Sequence, residues 1–214
     1  MLKVLLMLLM FLLYSVVFKG TLSVSVPMDY AEEESYSEEA AAAAEEAPAE
    51  DSIFAELPST NFVFASGAGG WATELRFNSD GSFAGAYHDS EMGLGSDEYD
   101  ATVYVCNFQG QMSVIEKVDE YTYRLKLDWI DQTETPGEEW IDERVRYVGG
   151  SPYGLDNADE LMLYLPGRPT DDLTEDCISW IFMAEGWSWD ERGSNLSGYV
   201  LYNINAGEAF TASY

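Results

Sequence analysis

From Asn61 onward the chain is written in short runs that alternate apolar and polar residues, each closed by a turn signal. A period of two places successive side chains on opposite faces of an extended strand. Asn61–Ala65 and Trp71–Phe77 read as strands on either side of Ser66-Gly67-Ala68-Gly69-Gly70. Asn78-Ser79-Asp80-Gly81 is a tight-turn signal before a strand at 82–87, with Leu75, Phe77, Phe83 and Tyr87 on one face. Further strands are expected at 101–108, 111–117, 121–129, 143–148, 160–165, 199–204 and 208–211. Only 173–184 spaces its apolar residues as a helix does, through Leu173, Cys177, Ile178, Ile181 and Phe182, with Asp171-Asp172 suited to its start. Nine or so short strands and one helix predict a mainly β fold, an antiparallel meander closing into a barrel or sandwich with a helix in the C-terminal third.

Ahead of this lie two segments of different composition. Residues 1–25 have the layout of a secretory signal: Lys3 and the amino terminus are positive, and 4–18 is largely apolar. Fifteen helical residues span about 22 Å, short of the roughly 30 Å hydrocarbon core. Ser23 and Ser25 suit cleavage after Ser25, whereas Lys19 close behind the run suits an uncleaved anchor, and both remain open. Residues 26–56 form an Ala/Glu-rich spacer with eleven acids from Asp29 to Glu56 and no base, expected to be extended and disordered by self-repulsion. Residues 57–214 are the single folded domain, with ample length for a core.

The whole chain has 39 acids against 10 bases and a net charge of −29. Phosphate binding needs clustered Lys and Arg, so this balance argues against nucleic acid as a partner and against docking on anionic lipid, and no nucleic acid is expected. Membrane contact would come only through an uncleaved N-terminal segment. The expected localisation is secreted or cell-surface, and the expected state is a monomer.

Gly69-Gly70-Trp71 entering a strand, followed by Asp80-Gly81-Ser82-Phe83, resembles the first hairpin of lipocalin-like β-barrels. That likeness implies a tryptophan closing one end of the barrel. Four longer stretches, at 62–71, 87–93, 118–123 and 153–160, resemble an uncharacterised family of secreted proteins and lipoproteins of Gram-positive, mainly clostridial, bacteria. The resemblance implies an exported envelope protein and brings no activity with it. The chain departs from the family in having no lipid-anchor cysteine.

Four groups of residues could carry chemistry. His88, the only histidine, ends a strand beside Asp89 and Ser90, but strand neighbours face opposite ways and build no triad. No nucleophile elbow, phosphate loop or dinucleotide fingerprint is present, so no catalytic residue is assigned. Asp89, Glu91, Asp97, Glu98 and Asp100 gather on a loop with Gly93 and Gly95, as a calcium site would require, though without EF-hand spacing. Calcium is thus the one cofactor the composition admits. Cys106 and Cys177 are a candidate disulfide or two buried thiols. Trp187 and Trp189, with Trp71 and His88, are candidate ligand contacts, because flat indoles beside acids and amides suit a sugar ring.

The expected function is a non-enzymatic, exported cell-envelope module binding a small molecule, a glycan or an envelope protein. The alternatives are an exported, glycosidase-like hydrolase working through carboxylates, and a structural or calcium-binding surface protein.

Overall fold

The computed structural model describes residues 52–57, 59–92, 95–186 and 193–213. The expected signal and most of the acidic spacer lie outside them. The strands are β1 (Asn61–Ala65), β2 (Trp71–Phe77), β3 (Ser82–Met92), β4 (Ala101–Asp119), β5 (Thr122–Gln132), β6 (Glu139–Asp142), β7 (Val145–Gly149), β8 (Glu160–Tyr164), β9 (Val200–Asn203) and β10 (Glu208–Ser213). One α-helix, α1 (Glu175–Glu185), lies between β8 and β9. Among the described residues no helix is long and apolar enough to cross a membrane.

Eight strands form a closed antiparallel barrel. Each of β1 to β4 pairs with the next, β5 pairs with β8, β8 with β9, β9 with β10, and β10 returns to β1. Closure leaves the ring without an unpaired edge strand of its own. The expected meander is therefore a barrel and not a sandwich. The β6–β7 hairpin is an insertion: β7 runs parallel to Ala101–Val105 of β4, where β5 does not reach, because β5 joins β4 only from Phe108 onward.

Two expectations are corrected by the strands. The separate runs at 101–108 and 111–117 are one strand, since Gln109-Gly110 is no turn. Gly110 is small for another reason: a Cβ there would lie 2.4 Å from the Phe83 ring and 2.6 Å from the Trp129 carbonyl oxygen. Gly85 accommodates the Phe108 ring in the same way, at 2.5 Å. Since Phe83 pairs with Gly110 and Gly85 with Phe108, each glycine makes room for the opposing phenyl ring. The second correction is β6, which the alternation did not announce, with Glu143 and Arg144 forming its turn rather than the start of a strand.

The inward faces of the strands fill the barrel with Phe62, Phe64, Leu75, Phe77, Phe83, Phe108, Leu125, Leu161, Leu163, Leu201 and Phe210. Fully burying a side chain of this size is worth about 1.5–3 kcal/mol, so this layer is the main source of stability. On the outer face, α1 covers β8 to β10, packing Cys177, Ile178, Ile181 and Phe182 on Tyr164, Val200, Tyr202 and Ala209. Thr174 caps the helix by accepting from the Cys177 N–H, and Gly186 ends it in the left-handed region at φ 68°. Leu173, expected inside the helix, is extended and precedes it.

Both ends of the barrel are plugged. At one, a 3-10 turn (Ile53–Glu56) inserts Phe54, 5.3 Å from Phe77 between ring centroids, and buries Ile53 and Leu57. The folded unit thus begins within the expected spacer, before residue 57. At the other end the 153–159 segment crosses the opening. Thr73 Oγ1 donates to the Tyr153 carbonyl at 2.7 Å, and Asn203 Nδ2 donates to the carbonyls of Gly154 and Asp156 at 3.0 and 3.3 Å. Gly154 rests on the interior rings so closely that a Cβ would sit 2.6 Å from Phe64 and 2.7 Å from Phe210.

Candidate functional site

The end closed by 153–159 carries a cluster of partly exposed aromatic rings. The turn after Phe77 pairs it with Phe83, and that register carries through the hairpin to set Trp71 opposite Asp89. Asp89 in turn stands opposite Tyr104 of β4. Directly opposed residues share a face, so Trp71, Asp89 and Tyr104 form one row on the inward side, above the plug. The row beneath is Thr73, Tyr87 and Cys106. Tyr153 from the plug packs its ring 4.9 Å from Trp71 and 5.9 Å from Tyr87. Trp71 is further backed by Phe64 at 4.8 Å and by Trp180 of α1 at 6.3 Å, whose indole N–H donates to the Gly207 carbonyl at 3.0 Å. Trp71, Tyr87, Asp89, Tyr104 and Tyr153 are all partly exposed, unlike the rings below them.

Charge at this end is negative. Burial, and after it the neighbouring Asp89 charge, pushes Tyr87 up to about 12. Glu91, in the next row out, accepts from the Tyr104 hydroxyl at 3.5 Å. Asp156 on the plug and Glu208 at the start of β10 are both raised above the usual carboxylate range, first by burial and, for Glu208, also by the Asp156 charge. Among the described residues Arg146 approaches, opposite Thr102 and hence in line with Glu91. Glu139 already holds it through two hydrogen bonds, one of them 3.0 Å from its Nε.

The sequence candidates separate when placed on this frame. Trp71 lies in the aromatic end. His88 does not join it: it is exposed on the outer face of β3, between Ala72 and Val105. Trp187 and Trp189 lie outside the described residues, as do Gly93 and Leu94. Of the five loop acids, Asp89 faces the aromatic row, Glu91 meets Tyr104, and Asp100 is gripped by Arg144 at 2.6 and 2.8 Å. Arg144 also reaches the Asp97 carbonyl at 3.5 Å, and the Glu98 N–H bonds to Ser96 at 3.1 Å. Among the described residues no three carboxylate, imidazole or thiolate groups converge on one point as a metal site would need. Asp89 and Glu91 share the inward side of β3 in successive rows, while Arg144 holds Asp100 away from them.

Cys106 and Cys177 are free thiols, which corrects the disulfide candidate. Cys106 lies in the barrel interior and Cys177 beneath the helix on the outer face, so the sheet separates them. Burial pushes both up to about 12, with the charges of Glu134 and Asp156 adding to the effect on Cys106.

Tyr87, Tyr104, Tyr153 and Glu208 enter the site without having been singled out as candidates. The first two were within reach of the hairpin register; the rest depend on where the plug and β10 arrive. Glu134 is also buried, yet both its oxygens accept from Asn107, at 2.6 Å from the backbone and 2.7 Å from the side chain, so it serves as a strand anchor.

Comparison with protein-family models, with curated proteins and with solved structures found no match.

Proposed function

We propose that this chain is an exported, non-enzymatic binding module of the cell envelope, taking a small molecule or glycan at the aromatic end of its barrel. The carrying observation is the row Trp71–Asp89–Tyr104 with Tyr87 and Tyr153 beside it: large rings left partly exposed on strands that rise beyond a sealed core. The barrel interior is filled by phenylalanines and plugged at both ends, which favours a ligand resting on the rim over one enclosed within. Rings with polar groups at their margin are the ordinary makeup of a binding surface. Export rests on the signal-like layout of residues 1–25.

A thermal-shift screen of the full chain against sugars, amines and amino acids at millimolar concentration tests this. A binding ligand raises the melting temperature, and Tyr104→Ala, a rim change outside the packed core, removes the shift. If nothing shifts the melt, or if Tyr104→Ala leaves a shift intact, the reading falls.

One observation favours a hydrolase as the second reading. Asp156 and Glu208 are neighbouring carboxyls, both raised, and a raised carboxyl is what a general acid requires. Release of reducing sugar from a polysaccharide panel, abolished by Glu208→Gln, would replace the binding reading with this one.

A further inference from the structure

Resting on that reading, we infer that the ligand is a small organic cation, an amine or quaternary ammonium group held over Asp89 between the rings of Trp71 and Tyr104. The register sets the carboxylate between these two aromatic neighbours, with the Tyr87 ring in the row beneath. Aromatic faces are negative at their centre and attract a cation within about 6 Å, most strongly where water is partly excluded. A carboxylate between two such rings supplies the countercharge and leaves a neutral ring without a matching partner.

Three further observations agree. Among the described residues neither Asp89 nor Glu91 forms an ion pair with Lys, Arg or His, although five of the domain's bases are held by acids elsewhere. Arg146, in line with Glu91, is engaged by Glu139 and not by Asp89. Asp156 and Glu208 add negative charge behind Tyr153, since their charges act on its hydroxyl. A net charge of −29 then concentrates cations around the whole molecule.

The test is isothermal titration of the full chain with choline and with its neutral isostere, 3,3-dimethylbutan-1-ol, at low salt. Choline binds at least about tenfold more tightly than the isostere, and Asp89→Asn removes about tenfold of that affinity. Glu120→Gln makes the same change in net charge at the exposed β4–β5 turn, at the opposite end, and leaves binding within about twofold. Tyr104→Phe keeps the ring and the affinity, whereas Tyr104→Leu loses both. Circular dichroism of each variant reports whether the barrel is intact, and the conservative Asn and Phe changes keep the comparison readable if Tyr104→Leu does not fold. Equal binding of choline and isostere overturns the cationic class and leaves a binding site. N-acetylglucosamine binding through Tyr104 without choline binding does the same. Absence of binding by all three overturns the cation inference, and the wider screen above decides whether the site itself falls with it.

Discussion

Asp156 and Glu208 sit at a boundary where a carboxyl loses water without gaining a positive partner, so each is easier to protonate folded than unfolded. A group raised in this way favours the folded state at low pH, and the advantage is lost as pH climbs from the ordinary carboxylate range through the raised values. Asp156→Asn, which keeps the shape, should therefore raise the melting temperature at pH 7. The gain should shrink toward pH 3.5, below the ordinary aspartate value of 3.8, where the group is mostly protonated in both states; calorimetry at the two pH values measures it. Asp80 runs the opposite way: its bonds to Ser82 lower it, and its contribution is lost as pH falls. The thiols obey the raised-group rule in the alkaline range. With Cys106 and Cys177 pushed up to about 12, stability should decline as pH rises from about 9 toward 12. Ellman's reagent should find no reactive thiol in the native chain and two in urea, and adding reductant should leave the melting temperature unchanged.

At the scale of elements, the β6–β7 hairpin is the informative case. Its two-residue turn is Glu143-Arg144, with φ of 47° and 66°, a conformation that favours Asn or Gly and that ordinary side chains adopt at a cost of about 1–2 kcal/mol each. Such a turn sends no signal in the sequence, which is why β6 escaped notice and 143–148 read as one strand. The strain is offset by what Arg144 then reaches, the two oxygens of Asp100 at the entry to β4. Glu143→Asn should relieve part of it, stabilising the chain by about 0.5–1 kcal/mol and raising the melting temperature by about 1–4 °C, measured by differential scanning calorimetry. The β2–β3 hairpin is the converse. Asn78-Ser79-Asp80-Gly81 announces its turn, Asp80 locks it by accepting from the Ser82 N–H at 3.0 Å, and the register that follows determines the neighbours of Trp71.

For the whole molecule, closure and plugging decide the character of the protein. Eight strands of largely phenylalanine interior leave the two openings to be sealed by segments distant in sequence, 52–57 and 153–159. Phe54 belongs to the first, 3% exposed although it ends a stretch dominated by Glu and Ala. Phe54→Ala should cost about 3–5 kcal/mol, the range for emptying a buried phenylalanine site. Urea unfolding of the full chain checks it; a loss below about 1 kcal/mol would mean that the plug is dispensable and that the domain starts later.

What the sequence by itself determined is what local physics controls. Alternation named most of the strands, turn residues located the β2–β3 hairpin, helical spacing found α1 to within two residues, and charge set the expectation of no nucleic-acid partner. These follow from side-chain periodicity, turn geometry and electrostatics, all of which act over a few residues or over the whole composition. Only the tertiary structure decided that the meander closes, that Gly85 and Gly110 make room for Phe108 and Phe83, and that Cys106 and Cys177 lie on opposite faces of one sheet. It likewise gathered Trp71, Asp89, Tyr104 and Tyr153 while turning His88 outward. Which residues meet depends on pairings between strands far apart in the chain and on the parity of each strand's register, where a shift of one residue exchanges the inner and outer faces.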